Sequence, residues 1–189
     1  LMILDIEWNH KPKASLQRPQ MVQAVYPFTS LPFSPTKMGI GLFVAEVLYH
    51  AVKNEPDTHA IFEYTMRSIE WFDMCEDGFA NFHLVFLLHL THFLGFMPNA
   101  YEARPGYYFD LRGACFTRQQ PPHPDFLSPT DASLVPKILR MRYSNMRFFH
   151  FSGAERSRLL RHIETFYRLH IAGFPELKSL DVLREVWSS

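Results

Sequence analysis

Between Asn81 and Leu94 the chain reads Asn-Phe-His-Leu-Val-Phe-Leu-Leu-His-Leu-Thr-His-Phe-Leu, without one Asp, Glu, Lys or Arg. Gly95 and Pro98 follow, a glycine suited to the turn past a helix end and a proline that does not continue it. A helix apolar on every side belongs in an interior, so the remaining elements must be wrapped around it. The longest apolar stretch, Leu84 to Met97, is interrupted by His89, Thr91 and His92, and is too short and too polar for a membrane span. The rest of the chain can supply a core for it. Apolar residues make up 47%, with 18 Phe, 8 Tyr and 3 Trp against 8 Gly, which argues against disorder and for a tightly filled interior. At 189 residues, one domain or one domain plus a fragment is expected.

The surrounding elements can be read from their stops and caps. Leu4 to Trp8 alternates apolar and polar, the period of a half-buried strand, and Met21 to Tyr26 reads as a second extended piece after the turn at Asn9 to Lys13. Two strands do not make an independent sheet, so this segment reads as the end of a β unit. Pro27 to Pro35 marks a linker, and Ser34-Pro35 supplies an N-cap and a proline at the first helical position. The first helix is predicted to run to about Asn54, and a second from Asp57 or Thr58 to about Asp77, broken at Gly78. Residues 97–128 are Pro-rich and aperiodic, with Tyr107 to Leu111 as one strand of a small hairpin-like insertion. Helix resumes near Thr130, limited or kinked by Pro136. Ser152-Gly-Ala-Glu155 is a capping box. Beyond it Leu159, Leu160, Ile163, Phe166, Tyr167, His170 and Ile171 share one arc of about 140°. Arg156 falls inside that arc, in the first turn, where exposure is expected. Gly173 ends the helix, and a last short one is predicted from about Ser179 to Trp187.

Nineteen basic and nineteen acidic residues cancel, which argues against a bulk nucleic-acid binder, yet they are unevenly placed. Residues 28–100 carry a net of −5 and residues 101–189 a net of +4. In the window 136–170, Lys137, Arg140, Arg142, Arg147, Arg156, Arg158, Arg161 and Arg168 face only Glu155 and Glu164. Such asymmetry points to a basic surface for an anionic partner; solvation of Arg-rich helices near a C-terminus explains charge alone equally well. Aromatics interleave with these cations at Arg147-Phe148-Phe149-His150-Phe151. That mixture suits single-stranded nucleic acid, with cations on phosphates and rings on bases. It equally suits an acidic peptide ending in an aromatic residue and a free carboxylate. At least two of the three Phe rings are expected to be core anchors instead.

Other chemistry is thinly represented. His89 and His92 are three apart on the apolar helix, and Glu46 and His50 are four apart on another, a possible ligand set for a helical metalloenzyme. No carboxylate lies between Asp77 and Glu102, so the Glu-x-x-His pairing of helical metal sites is missing there. Cys75 and Cys115 lack CxxC partners and read as buried structural thiols; two cysteines supply neither a disulfide framework nor a four-thiolate zinc site. There is no phosphate loop, no G-x-S-x-G and no H-E-x-x-H. Glu63, Glu70, Asp73, Glu76 and Asp77 read as a solvated acidic face. Asp5, Glu7, His10 and Lys11 break any early apolar signal segment. A soluble, non-enzymatic protein of a reducing compartment is expected, without cofactor. Residue 1 is not Met and need not be the natural start.

Several separated segments resemble one family. Residues 27–52, Pro-Phe-Thr-Ser-Leu-Pro-Phe-Ser-Pro-Thr-Lys-Met-Gly-Ile-Gly-Leu-Phe-Val-Ala-Glu-Val-Leu-Tyr-His-Ala-Val, resemble the first helix after the oligonucleotide-binding (OB) barrel in the RecO recombination mediator family. Leu87-Leu88 through Leu94-Gly95-Phe96-Met97-Pro98 is similar to that family's long apolar helix and its Gly-x-x-Pro ending. Gly173-Phe-Pro-Glu-Leu-Lys-Ser-Leu-Asp-Val-Leu183 is similar to its closing helix, most of all in the Bacteroidetes branch. The matches run in order along nearly the whole chain. Many members follow the Gly-x-x-Pro with a four-cysteine zinc ribbon. Here Asn99 to Pro122 retains only Cys115, which implies a ribbon without its metal.

The resemblance implies a mainly α fold, a bundle of about six helices preceded by a short β remnant of an OB-fold barrel. Residues 1–27 would be the last strands of an incomplete barrel, which needs about five. Residues 28–189 would be the helical domain, with the Pro-rich, zinc-less insertion at about 97–128. It further implies a non-enzymatic mediator of DNA repair, bacterial, cytoplasmic and nucleoid-associated. Implied partners are RecR, the acidic C-terminal tail of single-stranded DNA-binding protein, and single- and double-stranded DNA, the DNA bound weakly when most of the barrel is missing. Lys137, Arg140, Arg142, Arg147, Arg158, Arg161 and Arg168 are the expected contacts for DNA or acidic peptide. Two rivals predict otherwise: a metal-binding enzyme using Glu46, His50, His89 and His92, and a protein-only interaction scaffold.

Overall fold

A computed structural model describes residues 1–13, 16–181 and 183. Its order is β1 (Leu4–Trp8), β2 (Pro19–Ala24), α1 (Pro35–Ala51), α2 (His59–Met74), α3 (Phe82–Phe93), β3 (Tyr108–Asp110), β4 (Cys115–Thr117), β5 (Phe126–Leu127), α4 (Pro129–Ala132), α5 (Val135–Arg140) and α6 (Gly153–His170). A 3-10 turn at Met146–Phe148 lies between α5 and α6. The protein is mainly α with a few short strands. None of the described helices is long and apolar enough to cross a membrane.

The apolar helix is central. Nine of the twelve residues of α3 are buried, on all sides of the helix, and α2, α5 and α6 pack on it. Ile40, Phe43, Val44 and Val47 of α1 join the same core. Gly95 takes a φ of +81°, the left-handed turn that ends a helix and that only glycine adopts without strain. Rings hold α2, α3 and the segment after α5 together. Phe82 stacks on Phe72 at 4.1 Å and on Tyr143 at 5.2 Å, and Trp71 stacks on Tyr143 at 4.9 Å. The expected break at Pro136 is real, since the helical stretch is divided into α4 and α5, with Pro136 in the first turn of α5 where its missing N–H costs nothing. The capping box is complete: the Ser152 hydroxyl accepts from the Glu155 N–H (3.2 Å), and the Ser152 N–H donates to the Glu155 carboxylate (2.8 Å).

The insertion carries a small antiparallel sheet in the order β4-β3-β5, with Phe109 opposite both Phe116 and Leu127. Those three side chains form a second core with Ala132, Val135 and Phe166 of α6. His170 donates to the carbonyl of Leu111 (2.9 Å) and stacks on Phe96, tying the end of α6 to the same region.

Two features differ from expectation, and a third extends beyond the described residues. Strands β1 and β2 pair antiparallel, but both are exposed along their length rather than half-buried. A two-stranded ribbon covers neither of its own faces. The Pro27–Pro35 linker is anchored rather than loose. The Asp73 carboxylate accepts from the N–H groups of Thr29 (2.8 Å), Ser30 (2.9 Å) and Leu31 (2.7 Å), so Asp73 is buried and not part of a solvated acidic face. Finally, Ser179, Leu180, Asp181 and Leu183 are helical, and the rest of the predicted last helix lies outside the described residues.

Candidate interface for an anionic partner

The cations of the window 136–170 sit on three consecutive pieces of chain. Lys137 and Arg140 are exposed on α5, Arg142 and Arg147 are exposed on the connector to α6, and Arg158, Arg161 and Arg168 lie on α6. Local structure explains the exposure. Val135 and Ile138 turn the apolar side of α5 to the core, which leaves Lys137 and Arg140 outside. On α6, Leu159, Leu160, Ile163, Phe166 and Tyr167 are buried, as the arc predicts.

Their partners divide them. Arg158 donates from Nε to Asp131 (2.9 Å), whose other oxygen lies 3.2 Å from His162 Nε2. Burial lowers the His162 pKa, as do Arg158 and Arg161 nearby, against the opposing pull of Asp131. The Ser152 hydrogen bonds hold the Glu155 carboxyl below its ordinary range, with smaller contributions from the Arg158 and Lys137 charges. Arg168 stands ten residues further along α6 than Arg158, about 15 Å up the axis, and pairs with Glu176 at 3.7 Å. Arg158 and Arg161, three apart on α6, are neighbours on the helix, and Arg168 is not part of their group.

Arg140, Arg142 and Arg147 form a different set. Arg140 donates to the carbonyl of Pro136 (3.2 Å). Arg142 donates to those of Leu139 (2.9 Å) and Met141 (3.1 Å), with His89 Nε2 at 3.1 Å. The Arg147 guanidinium lies 4.9 Å from the centre of the Phe148 ring. Among the described residues none of the three has a carboxylate within ion-pair distance. Of the interleaved rings, Phe149 and Phe151 pack on the core as expected, whereas Phe148 is 67% exposed. Arg156 is half-buried rather than exposed, because it donates to the carbonyl of Phe151 (2.6 Å) from under the helix start.

The four residues of the metal rival are otherwise engaged. Glu46 accepts from the N–H groups of Lys178 (3.0 Å) and Ser179 (2.8 Å) and from the Ser179 hydroxyl. Burial raises its pKa, but these donors outweigh it and lower the value overall. His50 meets the Phe174 ring edge-on, His89 Nε2 lies 3.0 Å from the carbonyl of Met141, and His92 packs on Phe93. Among the described residues no group of three or more His, Cys, Asp or Glu is placed to hold a metal ion. Cys75 and Cys115 are half-buried, and burial raises both thiols above their ordinary value.

Two arrangements had no sequence signal. Lys37 is buried under the start of α1, donating to the Ser30 hydroxyl (2.6 Å) and to the carbonyls of Asp73 (3.0 Å) and Cys75 (2.6 Å) at the end of α2. Between α2 and Tyr143 a cleft of about 380 Å³ is lined by Tyr64, Trp71, Phe93 and Tyr143, with Glu63 and Arg67 at its edge. Both depend on pairings dozens of residues apart, which periodicity does not report.

Comparison with known proteins gives a consistent relationship. The family profile described as "Recombination protein O C terminal" matches residues 32–181. The chain is 42% identical over 188 residues to a protein named "DNA repair protein RecO" from Phocaeicola vulgatus, covering 100% of this chain and 78% of that one. A protein of the same name from Bacteroides fragilis is also 42% identical, over 99% of this chain and 78% of its own length. One from Flavobacterium psychrophilum is 33% identical, over 100% and 77%. No solved structure matches the chain. With the profile covering most of the chain and these relatives aligned over nearly all of it, the chain belongs to the RecO family of DNA repair proteins.

Proposed function

We propose that this chain is a non-enzymatic recombination mediator. In this reading it engages DNA, the acidic C-terminal tail of single-stranded DNA-binding protein, and RecR, so that recombinase is loaded onto coated strands and complementary strands anneal. Residues 1–27 serve as the closing strands of an OB barrel, and the helical body presents the anion-binding surface. The setting is the bacterial cytoplasm, at the nucleoid. The observation that carries this reading is the family relationship combined with the surface placement of the cations. Lys137, Arg140, Arg142, Arg147, Arg161 and Arg168 are all exposed, and Arg158 is half-exposed beside them. Apart from Arg158, which pairs with Asp131, and Arg168, which pairs with Glu176, these charges have no carboxylate within ion-pair distance among the described residues, and a polyanionic partner would compensate them.

The test is a fluorescence-anisotropy titration of the protein with a labelled tail peptide, and separately with labelled DNA, at low and moderate salt. Peptide binding that weakens with salt and falls several-fold in Arg158→Ala/Arg161→Ala is the expected result. A folded sample that binds neither peptide nor DNA at low salt, where phosphate contacts are strongest, overturns the proposal.

A further inference from the structure

We infer that the connector between α5 and α6 is a subsite for single-stranded nucleic acid, in which a base stacks on Phe148 while Arg140, Arg142 and Arg147 take phosphates. The inference rests on the mediator reading above and narrows it to one ligand class, three of the cations and one ring.

Arg158 and Arg168 already face Asp131 and Glu176. Lys137 and Arg161, like the connector arginines, have no carboxylate within ion-pair distance among the described residues, so it is the exposed Phe148 ring beside its cations that singles out the connector. The guanidinium groups of Arg140 and Arg142 lean on main-chain carbonyls, and that of Arg147 on the Phe148 ring, so their positive charge is uncompensated by any carboxylate among the described residues. Three cations within eight residues concentrate positive charge along the connector, where the phosphates of a strand can be neutralised.

The ring selects a single strand. An exposed Phe is ordinary in itself; here its neighbours give it a setting. Met146 is fully buried and Phe149 and Phe151 pack on the core, so Phe148 is displayed between fixed points. The Asn81 amide, from the start of α3, donates to the carbonyls of Met146 (3.3 Å) and Phe149 (2.7 Å), bracketing Phe148. The Asn145 side chain accepts from the Arg142 N–H (2.7 Å) and closes the turn before it. Gly78, with φ of +69°, lets Arg147 come close: a Cβ there would lie 2.7 Å from that of Arg147. A platform held on both sides loses little conformational freedom when it binds. With a cation 4.9 Å from the ring centre, one nucleotide meets a stacking surface and a phosphate contact together. A duplex keeps its bases inside its own stack and gains only from the cations. An acidic peptide uses the cations and offers the ring at most its one terminal aromatic, whereas a single strand offers a base beside every phosphate.

The test compares a labelled oligothymidylate, a labelled duplex of equal length and the acidic tail peptide on the full chain, each over a salt series. Phe148→Ala, which removes no core contact, is expected to weaken oligothymidylate binding about tenfold. Duplex affinity and the salt dependence stay as in wild type. Arg147→Gln is expected to reduce the slope of log affinity against log salt by about 0.7 for a single strand. Phe148→Trp restores affinity. Three results overturn the inference: Phe148→Ala binding oligothymidylate like wild type, losing strand and duplex equally, or a wild-type protein that binds duplex or peptide but not the single strand. Those results leave the mediator reading intact. A folded wild type that binds none of the three probes removes both.

Discussion

At the scale of single residues, the interior is set by a few polar groups whose charge state depends on what surrounds them. Burial alone would raise the Asp73 carboxyl, but the N–H groups of Thr29, Leu31 and Ser30 outweigh it and hold the value at about 2, below the ordinary 3.8. A carboxyl with a lowered folded pKa stabilises above its unfolded value, and that stability is lost as pH falls through the folded one. Asp73 should therefore contribute about 2 kcal/mol at neutral pH, lost between about pH 4 and pH 2. His83 acts in a different window. Burial first and the Arg156 charge second push its pKa from 6.5 down to about 3, so the neutral ring is favoured in the fold. Its contribution is complete above about pH 6.5 and declines as pH falls towards 3. Urea unfolding across pH should show both slopes. Asp73→Asn should flatten the lower one while reducing stability at pH 7, and His83→Gln should flatten the upper one. An unchanged lower slope in Asp73→Asn would mean that other carboxyls govern acid unfolding.

Elements are decided by caps at their ends and by what lies against their faces. The capping box of α6 is entirely local, four residues of sequence satisfying two N–H donors. Ser152→Ala should cost about 1 kcal/mol. That loss should lower the thermal midpoint by a few degrees, and a midpoint equal to wild type would mean that packing alone holds the start of α6. Faces are less local. The alternation in β1 is present in the sequence, yet Ile6 is 41% and Trp8 54% exposed, because burying a strand face requires a second layer and β1 has only β2 beside it. The linker is the converse case. Its composition reads as a linker, but Asp73 at the end of α2 and Lys37 in the first turn of α1 bond to it and turn it into a fixed strap.

For the whole molecule, α6 is the element that joins two cores. Leu159, Leu160, Ile163 and Tyr167 belong to the main core around α3, and Phe166 to the smaller one beneath the insertion. Phe166 also meets Phe96, Phe109 and His170 edge-on or tilted. Phe166→Ala should cost about 3 kcal/mol, unevenly distributed. Amide exchange across residues 97–128 should accelerate more than across α3, because the insertion loses its main anchor while the central helix keeps its own contacts. Uniform acceleration in both regions would show a single cooperative unit instead.

The sequence by itself determined the helical body. The charge-free apolar run of α3 is found where its pattern lies, and so are the Ser34-Pro35 start of α1, the Ser152 capping box and the glycine stops at Gly95 and Gly173, each of which acts within about one helical turn. The concentration of cations in residues 136–170 was equally legible, as was the expectation that two of its three Phe rings are anchors. Only the tertiary structure decided which cations are neutralised and which ring is displayed. Those outcomes depend on Asp131 meeting Arg158, Glu176 meeting Arg168, and Asn81 reaching Met146 and Phe149 across more than sixty residues. The physical reason is range. Helix formation and capping depend on neighbours within four residues, so the pattern of the chain reports them. Charge compensation and burial of a particular side chain depend on what folding brings against it, and no local pattern carries that information.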